Sequence, residues 1–325
     1  MPEKIRCGLL GINHSHALDV LEVLQAHPDY ELVGVCEPDA SVRALFEGKL
    51  NGAPWLVKEA LLGDASIQAV AVESDVPRLL ALGQEVIAAG KHLHLDKPAG
   101  HDLAAFKSLL DSAEQKDLLV QMGYMFRYNP GFDLIRQGYV EGWFGDAYAI
   151  TASMCTDLTP EKRTRMAFHP GGVMLELGCH LIDIVLLLLG PPTKAAPYLR
   201  HDGNFDDGLA DNTLAVLEYP HGLVTVHVAA MEPQAFPARH FKLEGPLGTA
   251  LLQPLEPPAI RLALRQEAGP YKTGVHAPSL PDLPRHQRDF TDFAACIRGE
   301  KVFGYAKSHD LAVQRTVLQA CGIAF

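Results

Sequence analysis

The stretch Ile5-Arg6-Cys7-Gly8-Leu9-Leu10-Gly11-Ile12-Asn13-His14-Ser15-His16 decides how the first third of the chain is read. Residues 5–10 form a short apolar run that stops at Gly11, the signature of a buried parallel strand. Residues 17–26 follow with Leu18, Val20, Leu21, Val23 and Leu24 at helical spacing. A second strand pattern spans 31–36 and ends at the carboxylate of Glu37. A strand, a turn opening on glycine, a helix, and a second strand ending in an acid about 20 residues past the turn make up a Rossmann dinucleotide site.

In the usual G-x-G-x-x-G, glycines let the chain turn and let main-chain N–H groups approach a pyrophosphate at a helix N-terminus. Only Gly11 is kept here. Asn13 takes the second place, as a residue that tolerates left-handed backbone, and His16 takes the third. The candidate cofactor contacts are Gly11, Asn13, His14, Ser15, His16 and Glu37, with Ser74 and Asp96 at later strand ends. Glu37 suits the ribose hydroxyls of NAD and repels the 2′-phosphate of NADP, so NAD is the expected cofactor. His14 and His16 alternate, as do His92 and His94, so each pair faces one way on extended chain. Neither pair has a third ligand at informative spacing, and no metal is expected.

The alternation continues outward. Strand patterns at 67–72, 91–95 and 118–122 are separated by helical patterns at 41–50, 77–89 and 103–114. Such an order predicts a parallel sheet covered by helices on both faces. After about Gly123 the pattern changes: 148–153, 214–219 and 223–229 are strand-like, and Tyr219-Pro220-His221-Gly222 marks a turn. Residues 253–284 are proline-rich and read as irregular connections between edge strands, while 287–298 and 308–320 are helical. The chain of 325 residues suits two domains. The expectation is an α/β architecture: a Rossmann doubly wound parallel sheet over 1–122, then an α+β domain with a large, open, mostly antiparallel sheet over 123–325. The C-terminal helices are expected to pack back on the first domain.

Composition narrows the function. A net charge of −11 argues against a general binder of nucleic acid or anionic membrane. No apolar run approaches the roughly 20 residues that span a bilayer. Met1-Pro2-Glu3-Lys4-Ile5-Arg6 leads almost straight into a strand pattern. Cysteines at 7, 36, 155, 179, 296 and 321 form no CxxC pair and read as buried thiols. A cytoplasmic location is expected.

Two segments carry the chemistry. In His169-Pro-Gly-Gly-Val-Met-Leu-Glu-Leu-Gly-Cys-His-Leu-Ile-Asp-Ile-Val-Leu-Leu-Leu-Leu-Gly190, a helix from about Gly172 is apolar nearly all round. Glu176, His180 and Asp183 interrupt it at i, i+4 and i+7, on one face, and buried ionisable groups are costly unless paired or facing a polar cavity. In Gly90-Lys-His-Leu-His-Leu-Asp96-Lys97-Pro98, Lys97 falls at the carboxyl end of a parallel strand, where ligands of such sheets bind.

These motifs resemble the glucose–fructose oxidoreductase and inositol dehydrogenase family, Gfo/Idh/MocA. Gly90-Lys91-His92 with Asp96-Lys97-Pro98 is similar to its G-K-H…E-K-P signature, with Asp for Glu. Gly123-Tyr-Met-Phe-Arg127-Tyr-Asn-Pro130 resembles the segment opening its second domain, Gly171 to Asp183 its G-G-G…D-x-G-x-H-x-x-D helix, and Asp211-Asn212-Thr213 and Phe290 to Gly299 later landmarks. Ser74-Asp75-Val76-Pro77-Arg78-Leu79 departs from the family's T-P-N-x-x-H. The resemblance implies Lys97 and His180 at a substrate carbinol, with Glu176 one turn before the histidine. Arg127, Asp183 and His169 are the candidate substrate contacts. It implies NAD-dependent hydride transfer at a secondary alcohol of a sugar, cyclic polyol or sugar derivative, in a homodimer or homotetramer. The alternatives are NAD-assisted glycoside cleavage or elimination by transient oxidation, and a silent NAD or sugar sensor.

Overall fold

The computed structural model describes residues 3–325. In chain order the elements are β1 Ile5–Leu10, α1 Ala17–Ala26, β2 Tyr30–Cys36, α2 Ala40–Ala44, α3 Lys58–Gly63, β3 Ala69–Val72, α4 Val76–Ala88, β4 His92–Leu95, α5 Leu103–Gln115 and β5 Val120–Met122. They continue with α6 Pro130–Val140, β6 Ala149–Ser153, α7 Pro160–Met166, α8 Cys179–Leu189, β7 Lys194–Arg200, β8 Asn212–Glu218, β9 Leu223–Ala229, β10 His240–Glu244, β11 Gly248–Leu252, β12 Ile260–Leu264, β13 Gly274–His276, α9 Gln287–Ile297 and α10 Lys307–Ala320. A π-helical segment, Met174–Gly178, runs directly into α8. The chain divides into two compact units, one of residues 1–125 with 284–311, the other of residues 126–283 with 312–325.

The first unit is built on a five-stranded parallel sheet ordered β2-β1-β3-β4-β5. Its strands are apolar on both faces because helices cover both: β1 is buried at Ile5, Cys7, Leu9 and Leu10, and β3 throughout. Against β1 and β2 pack Val20, Leu21 and Leu24 of α1 with Phe290, Phe293 and Ala294 of α9. A full Rossmann sheet carries one more strand outside β2. Here that strand is a single parallel bridge between Val35 and Trp55, fixed by Val35 N–H to Pro54 O and Leu56 N–H to Val35 O. The order of strands reverses between β1 and β3, so the carboxyl ends of these two strands flank the crevice where such sheets bind ligands.

The second unit is an eight-stranded sheet ordered β13-β12-β11-β10-β6-β9-β8-β7, antiparallel except for the pair β6–β9. Period-two alternation gives it one buried face: Ile150 and Ala152, Ala215 and Leu217, Val224, Val226 and Val228, Phe241 and Leu243, Leu262 and Leu264. Helix α8 is buried nearly all round, from Cys179 to Leu186. Asn129 caps α6 by accepting from Gly131 N–H, 2.8 Å, with Pro130 preset in the first turn.

Residues 253–284 hold β12 and β13, at one edge of the eight-stranded sheet, among irregular connections, each strand too short to give a pattern in so proline-rich a segment. Two expectations need correcting. The helix expected over 41–50 stops at Ala44 and continues as turns to Asn51, where φ is 47°. The segment after Gly172 is not α-helical from its start, because a π turn precedes α8.

Candidate active site

In the first unit the candidate residues gather at the switch point. Gly11 has φ +75°, and a Cβ there would sit 2.9 Å from the Ser74 Cβ, so the turn closes only on glycine. Behind it Glu37 is buried. Its two carboxylate oxygens accept from Ile12 N–H, 3.1 Å, and Asp39 N–H, 3.0 Å. Each oxygen keeps acceptor capacity for a hydroxyl. The close approach at Gly11 and an acid at the end of β2 fit a dinucleotide, with Ser74 bordering the turn.

The side chains of His14 and His16 turn toward the ends of β3 and β4. His14 N–H donates to Glu73 O at 3.0 Å, tying the loop to β3. The His14 imidazole contacts Asp96 Oδ2, and His16 Nδ1 lies 3.1 Å from Asp96 Oδ1. Asp96 Oδ1 also accepts from Lys97 N–H, 2.8 Å. Glu73, Asp96 and Lys97 are all buried. Burial works against the Asp96 charge, yet the His14 and His16 rings hold its carboxyl well below the usual range. Burial, then the neighbouring Asp96, push Glu73 well above the usual range. Burial pushes His16 down to about 3 although Asp96 opposes it. The Lys97 ammonium is near enough to act electrostatically on both Glu73 and His16.

A second polar group lies alongside. His94 Nε2 is 3.7 Å from Glu73 Oε1, its Nδ1 is 3.0 Å from Gln121 Oε1, and its ring packs 4.6 Å from Phe290. His286 and Asp289 form a buried pair at 3.0 Å. Asp289 holds the His286 imidazole above its ordinary value although burial opposes this. Sequence reading named neither Glu73 nor His286. Glu73 stands next to Ser74 at a strand end, a position that could have suggested it, whereas nothing in the sequence links His286 to residues 14–96.

In the second unit His180 is buried on α8, with its ring 5.3 Å from that of Phe126. Glu176 stands on the π turn, 3.7 Å from His169 Nε2. A wider turn between Glu176 and His180 alters the i, i+4 stacking expected of an α-helix, and single π turns recur at functional sites. Arg127 and Asp183 are a buried forked pair, with Nε 3.0 and 3.1 Å and Nη2 2.6 Å from the carboxylate oxygens. That pair neutralises two charges that sequence reading assigned to substrate. Arg163, not foreseen, donates to Asp207, 2.6 Å, and Asp211, 2.7 Å, and lies 3.8 Å over the Phe205 ring.

Known proteins resemble this chain in both parts. Residues 5–124 match the model described as oxidoreductase family, NAD-binding Rossmann fold, and residues 132–250 match the GFO/IDH/MocA C-terminal domain. Trans-1,2-dihydrobenzene-1,2-diol dehydrogenase of Macaca fuscata fuscata is 25% identical over 235 residues, 70% of this chain and 69% of that protein. The dTDP-3,4-didehydro-2,6-dideoxy-alpha-D-glucose 3-reductase of Actinomadura kijaniata is 26% identical over 212 residues, 65% and 64% of the two chains. In fold, the UDP-N-acetylglucosamine 3-dehydrogenase of Acidithiobacillus ferrooxidans superposes with a TM-score of 0.81 at 20% identity, over 98% of this chain and 97% of that one. An Agrobacterium radiobacter oxidoreductase solved with NAD+, L-tartaric acid and magnesium gives 0.82 at 14% identity, over 98% and 96%.

Proposed function

Since the chain belongs to the Gfo/Idh/MocA family of oxidoreductases, with its NAD-binding Rossmann domain, we propose that it interconverts a ring carbinol and its ketone on a cyclic diol, polyol or sugar derivative. The names of its relatives, a dihydrodiol dehydrogenase and enzymes acting at position 3 of nucleotide sugars, support that substrate class. Bound NAD supplies the hydride acceptor. Gly11 and the loop through His16, with Ser74, would receive the pyrophosphate side of the cofactor, and Glu37 the adenosine ribose.

The chain's own part is to manage the hydroxyl. Lys97 offers a fixed positive charge to the developing alkoxide oxygen, and the His180 imidazole takes the hydroxyl proton. The two roles can be exchanged without altering the overall reaction. Glu176 and His169 orient the polar side of the π turn, and Arg127 with Asp183 braces the start of the second unit against α8. The observation that carries the reading is Lys97: a buried lysine at the end of β4, in the crevice where parallel sheets bind ligands, is costly without a task.

The direct test follows absorbance of reduced nicotinamide while cyclic diols, polyols and sugar nucleotides are offered with NAD. Lys97→Met and His180→Ala should each lower turnover by roughly 10²–10⁴-fold while changing NAD affinity little. Near-normal turnover in His180→Ala would remove the assignment. We also place the protein in the cytoplasm, where six buried free thiols stay reduced, and expect a homodimer or homotetramer.

A further inference from the structure

The loop that departs from the glycine fingerprint replaces small residues with imidazoles, and the structure puts those imidazoles to a common use. One donor atom each from His14, His16, Glu73 and Asp96 lies within 4.8 Å of all the others. The four come from three places in the fold: the β1–α1 loop, the end of β3 and the end of β4. His16, Glu73 and Asp96 are buried and His14 nearly so, with 7% of its side chain exposed. Independently of that clustering, Glu73 is wholly buried and neither of its oxygens has a hydrogen-bond donor among the described residues. Beside it, Asp96 Oδ2 faces the His14 ring and Oδ1 faces the His16 ring. A carboxylate in such a position costs several kcal/mol unless protonated or met by a cation.

We propose that His14, His16, Glu73 and Asp96 form a binding site for one divalent transition-metal ion of the zinc class. The donor set favours this class over magnesium or calcium, because two imidazoles with two carboxylates suit zinc, cobalt, iron or nickel and not an all-oxygen shell. The spacing suits a tetrahedral ion. Bonds of about 2.0–2.2 Å put neighbouring ligand atoms about 3.3–3.6 Å apart, which side-chain shifts of about 1 Å would reach from the present positions. With neutral imidazoles the two carboxylates carry two negative charges, of which Lys97 offsets one, so the pocket attracts a cation. Outer contacts are in place: His94 beside Glu73, held in turn by Gln121, and Lys97 N–H on Asp96. Such an ion would clamp the β1–α1 loop to the ends of β3 and β4.

The proposal stands apart from the assignment of Lys97 and His180, and its test needs no substrate. The tag-free full-length protein is stripped with a chelator, equilibrated separately with Zn²⁺, Co²⁺, Mn²⁺ and Ni²⁺, and freed of excess metal. Metal content is then read by mass spectrometry. About one ion per chain is expected with Zn²⁺ or Co²⁺, together with a higher thermal midpoint and the visible bands of tetrahedral cobalt. Glu73→Gln and His16→Ala should each bind well below that. The Co²⁺ spectrum of the unaltered protein decides the matter should either variant fail to fold. An unaltered chain that retains none of the four ions overturns the proposal and leaves a protonated Glu73 sharing its proton with Asp96. Retention by both folded variants equal to that of the unaltered chain overturns it as well.

Discussion

Glu37 does two things with one carboxylate, and this changes how its removal should be read. Sequence gave it a role toward ribose, and the structure adds two main-chain N–H groups that it satisfies, those of Ile12 and Asp39. Glu37→Ala should therefore loosen the turn and weaken both cofactors. Glu37→Gln keeps an acceptor and removes the charge. It should narrow the preference for NAD over NADP by an amount of order 1.5–3 kcal/mol, read by fluorescence titration of each cofactor. Tighter NADP binding by the unaltered protein would contradict the assignment. Arg163 offers a second test. It neutralises Asp211, which is wholly buried, so Arg163→Met should destabilise the second unit by about 3–5 kcal/mol in denaturant titration. Arg163 also holds Asp207 below its ordinary pKa, first through their hydrogen bond. A carboxyl depressed in the folded state contributes fully above its unfolded value near 3.8 and loses that contribution as pH falls through the folded value. Between pH 5 and 3, roughly, Asp207→Asn should lose less stability than the unaltered chain.

Among the elements, those with a sustained period were legible and those fixed by tertiary contact were not. The β1–α1–β2 unit could be read because apolar strands and a 3.6-residue helical period alternate there over more than thirty residues. β12 and β13 could not, because strands of five and three residues among prolines give no period. The π turn at Met174–Gly178 was invisible for a different reason: it depends on what the chain meets before the helix begins. Gly172 has φ +54°, and a Cβ there would run into the Ala210 carbonyl, which also accepts from Val173 N–H. Gly172→Ala should shift the start of the π turn, costing about 1–3 kcal/mol, and should lower turnover more than the loss of stability explains. Chemical denaturation alongside activity at a temperature where the variant remains folded separates the two effects. The four-residue cluster at the switch point was half legible. The alternation of His14 and His16 was plain, but their partners Glu73 and Asp96 lie some 60 and 80 positions away, and only the sheet order brings them together.

At the scale of the whole molecule, the larger sheet bears on assembly. The eight-stranded sheet buries one face with alternating apolar residues, and its other face carries Thr151, Thr225, His227 and Lys242 beside Leu214, Val216 and Leu251, none fully buried. Sedimentation at micromolar concentration should give a dimer or tetramer, and a monomer would refute this. Among the described residues no helix is long and apolar enough to cross a membrane. The strand bridge at Trp55 has a further bearing on how copies meet. An open strand edge offers a row of unsatisfied N–H and C=O groups to any passing chain and so invites cross-molecule pairing. On the outer side of β2, Val35 gives both its main-chain groups to the Pro54–Leu56 crossing. At the ends of the larger sheet, β13 is only three residues long and β7 holds Pro197, which has no N–H to offer. The molecule is thus poorly suited to templating ribbons or fibrils from its margins.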